Sequence, residues 1–163
     1  MPPIVSFVGF SNSGKTAFLV KLIQQLKNSG YKVGVIKHHD GHDFTMDYPG
    51  TDTWKHREAG ADTVCIASAA KIAVLKQAAP PVRLAELTPY FTDVDIILTE
   101  GFKNENQPQI EVNRAGLKPL GRKPNTLAVI SADVLYNGIP HFAPEAVKEV
   151  AEFLEKRVFP GRS

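Results

Sequence analysis

The stretch IVSFVGFSNSGKTAF, residues 4–18, sets an apolar run against a glycine-framed polar loop. IVSFVG (4–9) is short, rich in β-formers and apolar on both faces, which predicts a buried central strand of a parallel sheet. It runs directly into Gly-x-x-x-x-Gly-Lys-Thr, residues 9–16. A phosphate group needs many donors converging on little space, so such a loop must turn its N–H groups inward without side chains in the way. Gly9 and Gly14 permit that turn, and the small polar Ser11, Asn12 and Ser13 leave room between them. Lys15 is placed to reach β- and γ-phosphates and the Thr16 hydroxyl to ligate Mg²⁺, while the helix opening near Gly14 adds its positive end. The pattern predicts a nucleotide-binding P-loop.

Beyond Lys15, Leu19, Leu22, Ile23 and Leu26 fall at i, i+3, i+4 and i+7, and Gly30 supplies a left-handed stop, so a helix of about four turns follows. KVGVIKH (32–38) reads as a second parallel strand, completing a right-handed β-α-β unit with its end beside the P-loop. Residues 39–51 form a long loop at the carboxyl end of that strand, where open α/β sheets bind ligands. Asp52 to Gly60 predicts a short helix with Asp52 as N-cap and Gly60 as stop. TVCIAS (63–68) and KIAVLKQ (71–77) are separated only by Ala69 and Ala70, too little for a crossover helix, so they are expected to be antiparallel neighbours or to include an edge strand. VRLAELTPYF (82–91) is helical; DIILTEG (95–101), PQIEVNR (108–114) and NTLAVIS (125–131) are strands. PEAVKEVAEFLEKRV (144–158) closes the chain with a helix carrying Val147, Val150, Ala151, Leu154 and Val158 on one stripe. The sum is an α/β fold: a P-loop NTPase-type, mostly parallel sheet flanked by helices, with a short antiparallel strand addition, in one domain over residues 1–163.

Composition narrows the function classes. At 163 residues and 43% hydrophobic content there is material for one sizeable core. Nineteen Lys and Arg against seventeen Asp and Glu give +2, scattered rather than massed, which argues against a nucleic-acid partner. No apolar run approaches the roughly 20 residues that span a bilayer, and MPPIVSFVGF lacks the basic region and cleavage site of a signal peptide, so a soluble cytoplasmic protein with no membrane partner is expected. Cys65 stands alone and reads as a small buried core residue.

A P-loop calls for a second acid at the end of a neighbouring strand, to hold the metal or its waters. Asp95 and Glu100 flank DIILTEG, and at about 3.3 Å per residue they lie roughly 16 Å apart. Only Glu100 falls at the carboxyl edge, so it is the expected Walker B acid and Asp95 a strand-start residue. In KHHDGHDF (37–44), His38, His39 and His42 alternate with Asp40 and Asp43. They can chelate, yet no cysteine or distant histidine pair completes a tetrahedral set; as donors to an anionic ligand the imidazoles and Lys37 are better placed, and a solvated loop is the remaining reading. Asp40 or Asp43 could position an attacking or Mg²⁺-bound water, Arg57 or Arg114 could act across a dimer interface, and the catalytic residues are otherwise unassigned. Lys55, His56 and Arg57 read as part of an exposed charged helix with Trp54 as packing anchor, or as a grip for a phosphorylated ligand or partner. NRAGLKPLGRKPN (113–125), with Arg114, Lys118, Arg122 and Lys123, is either a lid closing over an anion or a solvated basic loop.

GFSNSGKT, then KHHDGHDFTMDYPGTDTWKHREAGA, then DIILTEGFK, in that order, resemble the molybdopterin-guanine dinucleotide biosynthesis adapter protein family, MobB, over essentially the whole chain. The middle motif is far more specific than the phosphate loop. The resemblance implies a GTP-binding protein related to P-loop metabolic enzymes and GTPases, homodimeric, with weak intrinsic GTP hydrolysis. It implies a molybdenum cofactor guanylyltransferase as partner, molybdopterin as a ligand, and molybdoenzymes or other cofactor-synthesis proteins as further partners. It assigns Gly9, Gly14, Lys15 and Thr16 to the triphosphate, Thr16 and Glu100 to Mg²⁺, and His38, His39, His42, Asp43 and Arg57 to the family-specific surface. GTPases commonly read guanine with Asn-Lys-x-Asp after a late strand. Here AVISADV (128–134) places Asp133 at the acid position but Ile130 and Ser131 where Asn and Lys are expected, which implies modest preference for GTP over ATP. Two other classes compete: a small-molecule kinase or ATP-dependent synthetase similar to dethiobiotin synthetase, and a phosphate-binding interaction protein without turnover.

Overall fold

Every residue of Ile4–Val8 (β1) is buried, because helices and loops cover both faces of the sheet it centres. The computed structural model describes residues 1–39 and 44–158. After β1, in chain order, come α1 (Lys15–Asn28), β2 (Val33–Lys37), α2 (Asp52–Glu58), β3 (Thr63–Ala67), β4 (Ile72–Lys76), α3 (Leu84–Leu87), β5 (Ile96–Glu100), β6 (Gln109–Val112), β7 (Thr126–Ile130), β8 (His141–Phe142) and α4 (Val147–Val158). They fall into two compact units, Met1–His38 with Leu84–Ser163, and His39–Arg83.

The first unit is a six-stranded sheet in the order β2-β5-β1-β6-β7-β8, parallel throughout. Side chains alternate between its two faces. Val5 and Phe7 of β1, Leu98 of β5 and Ile110 of β6 join Leu22 and Leu26 of α1 and Leu154 of α4 in the larger core. Ile4 and Ile97 face the other way, with Leu84 of α3 and Phe102. α1 ends as its sequence dictates: Tyr31 N donates to Leu26 O at 3.0 Å, and Gly30 takes the left-handed conformation at φ 87° that favours glycine. Two expectations need correcting. β2 does not lie beside β1, because β5 is inserted between them, so the P-loop's immediate neighbour is the strand that carries Glu100. The helical reading of residues 82–91 shrinks to α3 and a 3₁₀ turn, Thr88–Tyr90, with Pro89 at the start of that turn. β8 was not anticipated, since two residues, His141 and Phe142, carry no periodicity.

In the second unit β3 and β4 pair antiparallel, Thr63 opposite Lys76 and Ala67 opposite Ile72. Cys65 is exposed, not buried. A two-stranded sheet gives its residues little cover, and only Val64 of β3 is buried. The start of α2 also differs. Thr51, not Asp52, is the N-cap: its backbone is extended and its hydroxyl accepts from Trp54 N at 3.2 Å, while Asp52 sits one residue inside and pairs with Lys55 at 3.2 Å. Behind the cap, Asp47 Oδ1 accepts from Thr51 Oγ1 at 2.7 Å, Thr53 Oγ1 at 3.0 Å and Tyr48 N at 3.0 Å. Trp54 is half-buried. Among the described residues no helix is long and apolar enough to cross a membrane.

The bond from Thr51, with those from Thr53 and Tyr48 N and the charge of Arg57, holds the Asp47 carboxyl below its ordinary value of 3.8 although burial pushes the other way. A depressed carboxylate stabilises the fold above its unfolded pKa and loses that contribution as pH falls through the folded value. The Trp54 and Lys55 amides should therefore lose hydrogen-exchange protection as pH drops from about 5 to about 3. Asp47→Asn should flatten that dependence; an unchanged profile would rule the network out as the clamp on α2.

Candidate nucleotide site

The loop after β1 closes against the sheet at Gly9. A Cβ built there would lie 2.2 Å from the Val112 carbonyl oxygen, so no larger residue fits without moving backbone. The chain then turns through two left-handed positions, Asn12 at φ 61° and Gly14 at φ 95°. α1 begins at Lys15 with no capping side chain and no acidic residue in its first turn. No side chain competes there for an anion, and the helix dipole favours one. Lys15 Nζ meanwhile folds over the loop, donating to Gly9 O at 2.9 Å and Phe10 O at 2.7 Å, with Ser13 Oγ at 3.5 Å. Ser13 is buried, whereas Ser11 and Asn12 are exposed.

Glu100 ends β5, aligned across the ladder with Phe7 of β1. Thr16 Oγ1 donates to Glu100 Oε1 at 2.7 Å, which brings together two residues 84 positions apart in sequence. A hydroxyl and a carboxylate are hard oxygen donors of the kind Mg²⁺ takes, usually alongside waters and substrate phosphates. Lys37 Nζ stands 3.6 Å from the same Oε1. Asp95, at the other end of β5, accepts from Lys32 N at 2.7 Å, as befits a strand-start residue.

The residues that the resemblance assigns to a family-specific surface belong to both units. His38 N donates to Glu100 O at 2.8 Å, and its ring lies 4.7 Å from that of Phe102. Gly101 is required there, since a Cβ would come within 2.9 Å of His38 Cβ and φ is +100°. His39 is exposed; Asp40, His42 and Asp43 lie outside the described residues. Arg57 Nη1 is 3.8 Å from Asp47 Oδ2 in the second unit.

Asp133 is exposed past the end of β7; its N–H donates to Ser131 Oγ at 3.1 Å, and its carbonyl oxygen lies 2.7 Å from His141 Nε2. β7 is two strands from β1, because β6 lies between. The strand end nearer the P-loop on that side is Val112–Asn113, and Asn113 is buried, its amide donating to Lys118 O at 3.4 Å. The position of Asn113 depends on strand order, which spacing along the chain does not reveal.

The basic segment 113–125 is tied down at several points. Glu111, 2% exposed, accepts from Leu120 N at 2.8 Å and Tyr136 OH at 2.7 Å. Gly121 N donates to Tyr136 OH at 2.8 Å and Arg122 Nη1 to Asn137 O at 2.9 Å. Lys123 Nζ donates to Lys103 O. These bonds make the segment a built connection between β6 and β7. Burial, then the bond to Glu111, pushes the Tyr136 phenol up to about 12, so it remains a donor at neutral pH. Tyr136→Phe would strip the buried carboxylate of a donor, costing about 1–3 kcal/mol. Urea unfolding should register that loss, and the Leu120 and Gly121 amides should exchange faster; unaltered exchange would show that the segment is held by something else.

Comparison with known proteins agrees with this geometry. The family described as "MobB: Molybdopterin guanine dinucleotide synthesis protein B" matches residues 4–132. A molybdopterin-guanine dinucleotide biosynthesis adapter protein of Haemophilus influenzae is 39% identical over 121 residues, 72% of this chain and 67% of that protein. The protein of the same description from Escherichia coli is 35% identical over 136 residues, 79% of this chain and 74% of its own length. The crystal structure of Bacillus subtilis MobB superposes with a TM-score of 0.72 at 30% identity, covering 92% of this chain and 96% of that one. With its P-loop, its mostly parallel sheet and a match of this extent, the chain belongs to the MobB family of molybdopterin guanine dinucleotide synthesis proteins.

Proposed function

We propose that this chain binds GTP with Mg²⁺ at Gly9–Thr16 and serves as an adapter protein in the formation of molybdopterin guanine dinucleotide, beside a guanylyltransferase in the cytoplasm. The observation that carries the reading is the 2.7 Å contact of Thr16 with Glu100, next to an α1 N-terminus without a cap. Phosphates would draw Lys15 off the Gly9 and Phe10 carbonyls and take its charge, while the loop amides and the first turn of α1 bind the remaining oxygens. Mg²⁺, held by Thr16 and Glu100, would neutralise charge building on the phosphates. Asp133 or Asn113, beyond β7 and β6, are the side chains available to select the base.

Turnover in isolation is expected to be slow. Arg57 pairs with Asp47 and Arg122 with the Asn137 carbonyl, so neither is held ready for a transferring phosphoryl group. Partner-dependent use of GTP fits an adapter. The held-down segment 113–125 removes the strongest support for the kinase reading, which needs a closing lid. A homodimer is supported by the apolar side chains that β3 and β4 expose, Ile66 at 57% and Ile72 at 74%. A second ligand, molybdopterin, finds support in a cavity of about 250 Å³ walled by Phe10, Lys103, Leu120 and Lys123. Gln109 also lines it, with an Oε1 that has no hydrogen-bond partner among the described residues.

The test is a titration of the purified protein with GTP and ATP in Mg²⁺, repeated with molybdopterin and a guanylyltransferase present. GTP should bind in preference to ATP, and its consumption should rise with the partner. Lys15→Ala should weaken GTP about 10- to 100-fold, the loss of a charge-assisted hydrogen bond, with the circular dichroism spectrum intact. Equal affinity in the variant would move the site elsewhere; tighter ATP binding with no partner effect would return the function to a kinase or synthetase.

A further inference from the structure

One charged side chain at the phosphate end is not part of the P-loop. Lys37 closes β2, level with Glu100 on β5 and, through it, with Phe7 on β1. Its ammonium is 3.6 Å from Glu100 Oε1, the oxygen that also accepts from Thr16. Lys37 is 58% exposed and Glu100 13%, so the stem is free to swing while the carboxylate is held. A cation therefore already stands beside the oxygen assigned above to Mg²⁺.

We propose that Lys37 is the residue that reads the terminal phosphate. At 3.6 Å its ammonium neutralises Glu100. Two cations at contact distance from one carboxylate oxygen repel each other, and the divalent ion, held also by Thr16 and by phosphate oxygens, is the better competitor. Displaced from Glu100, the ammonium has the phosphate chain as its nearest new anion. Strands are about 4.8 Å apart, so the β2 end lies roughly 10 Å from the P-loop strand, on the Glu100 side. A lysine stem arriving from there meets the end of the phosphate chain that Lys15, rooted in the loop itself, does not monopolise. GDP offers nothing at that end. Lys37 would thus set the preference for the triphosphate and couple it to metal binding.

The proposal rests on the P-loop being a Mg²⁺–nucleotide site, and the experiment separates the two. Fluorescent GTP and GDP analogues are titrated against wild type, Lys37→Met and Lys37→Arg, each across a series of Mg²⁺ concentrations. An exposed ion pair contributes little to folding, so the variants should remain native. Lys37→Met should weaken GTP about 10-fold and leave GDP within about 2-fold, the signature of a charge-assisted contact to one phosphate. Half-saturating Mg²⁺ for the GDP complex should fall, because the competing ammonium is gone, and Lys37→Arg should retain most of the GTP preference. Parallel losses for GTP and GDP, or none, overturn the proposal while sparing the nucleotide site. A wild-type protein that binds neither analogue overturns both.

Discussion

The candidate site depends on one close approach. Where β1 ends, Gly9 passes so near the Val112 carbonyl that a methyl group would sit 2.2 Å from its oxygen. Ser13 Oγ, 2.7 Å from the same imagined Cβ, crowds the space from the loop side. β1 and β6 can be neighbours, and the loop can fold over their ends, only with hydrogen at that position. Everything later in the site follows from the turn thus made: a left-handed Gly14, an uncapped helix, a lysine returned over its own loop and a threonine set against the acid of the next strand. The burial of Phe7, Leu22 and Leu26 on one face supplies the rigid support. A loop asked to hold amides in place for an anion must stand on something that does not move.

The parts legible in the sequence were those governed by local rules. β1, α1 and the Gly30 stop are set by periodicity and by a backbone position that needs glycine, and their edges agree with the reading to within a residue or two. The place of Glu100 beside Thr16 is legible because only one end of a parallel strand lies on the side of the loop that follows β1. The residues that were misread depend on neighbours far away in sequence. Cys65 sits in an apolar run that looks like core, yet β3 and β4 form a sheet of two strands with little above them. Asp52 and Thr51 are both good caps, and Thr51 prevails because Asp47 accepts its hydroxyl hydrogen and fixes the rotamer that receives Trp54 N. Glu111 was passed over as an ordinary strand residue. Its meaning lies in Tyr136, 25 positions on.

Strand order was the largest quantity the sequence withheld. A β-α-β reading naturally sets β2 beside β1, but a doubly wound sheet reserves that place for a strand arriving later, here β5. The consequence is chemical rather than topological. With β5 inserted, the acid lies next to the threonine of the P-loop, and the lysine ending β2 approaches the acid from its far side. Had β2 been the neighbour, Lys37 would have met the loop directly and no carboxylate would have stood between the two cations.

That arrangement also explains how two lysines and one carboxylate can stand together without collapsing or repelling one another. Lys15 is satisfied by two carbonyl oxygens of its own loop, and Glu100 by a hydroxyl and an ammonium. Each group has a partner that a phosphate or a divalent cation can replace at little conformational cost, since the backbone donors and the strand ends stay where they are. Preorganisation of this kind puts the ordering entropy into folding rather than binding. A site so arranged needs its selectivity from groups at its margins, the end of β2 on one side and the ends of β6 and β7 on the other. On the function proposed above, the first would count phosphates and the second would select the base.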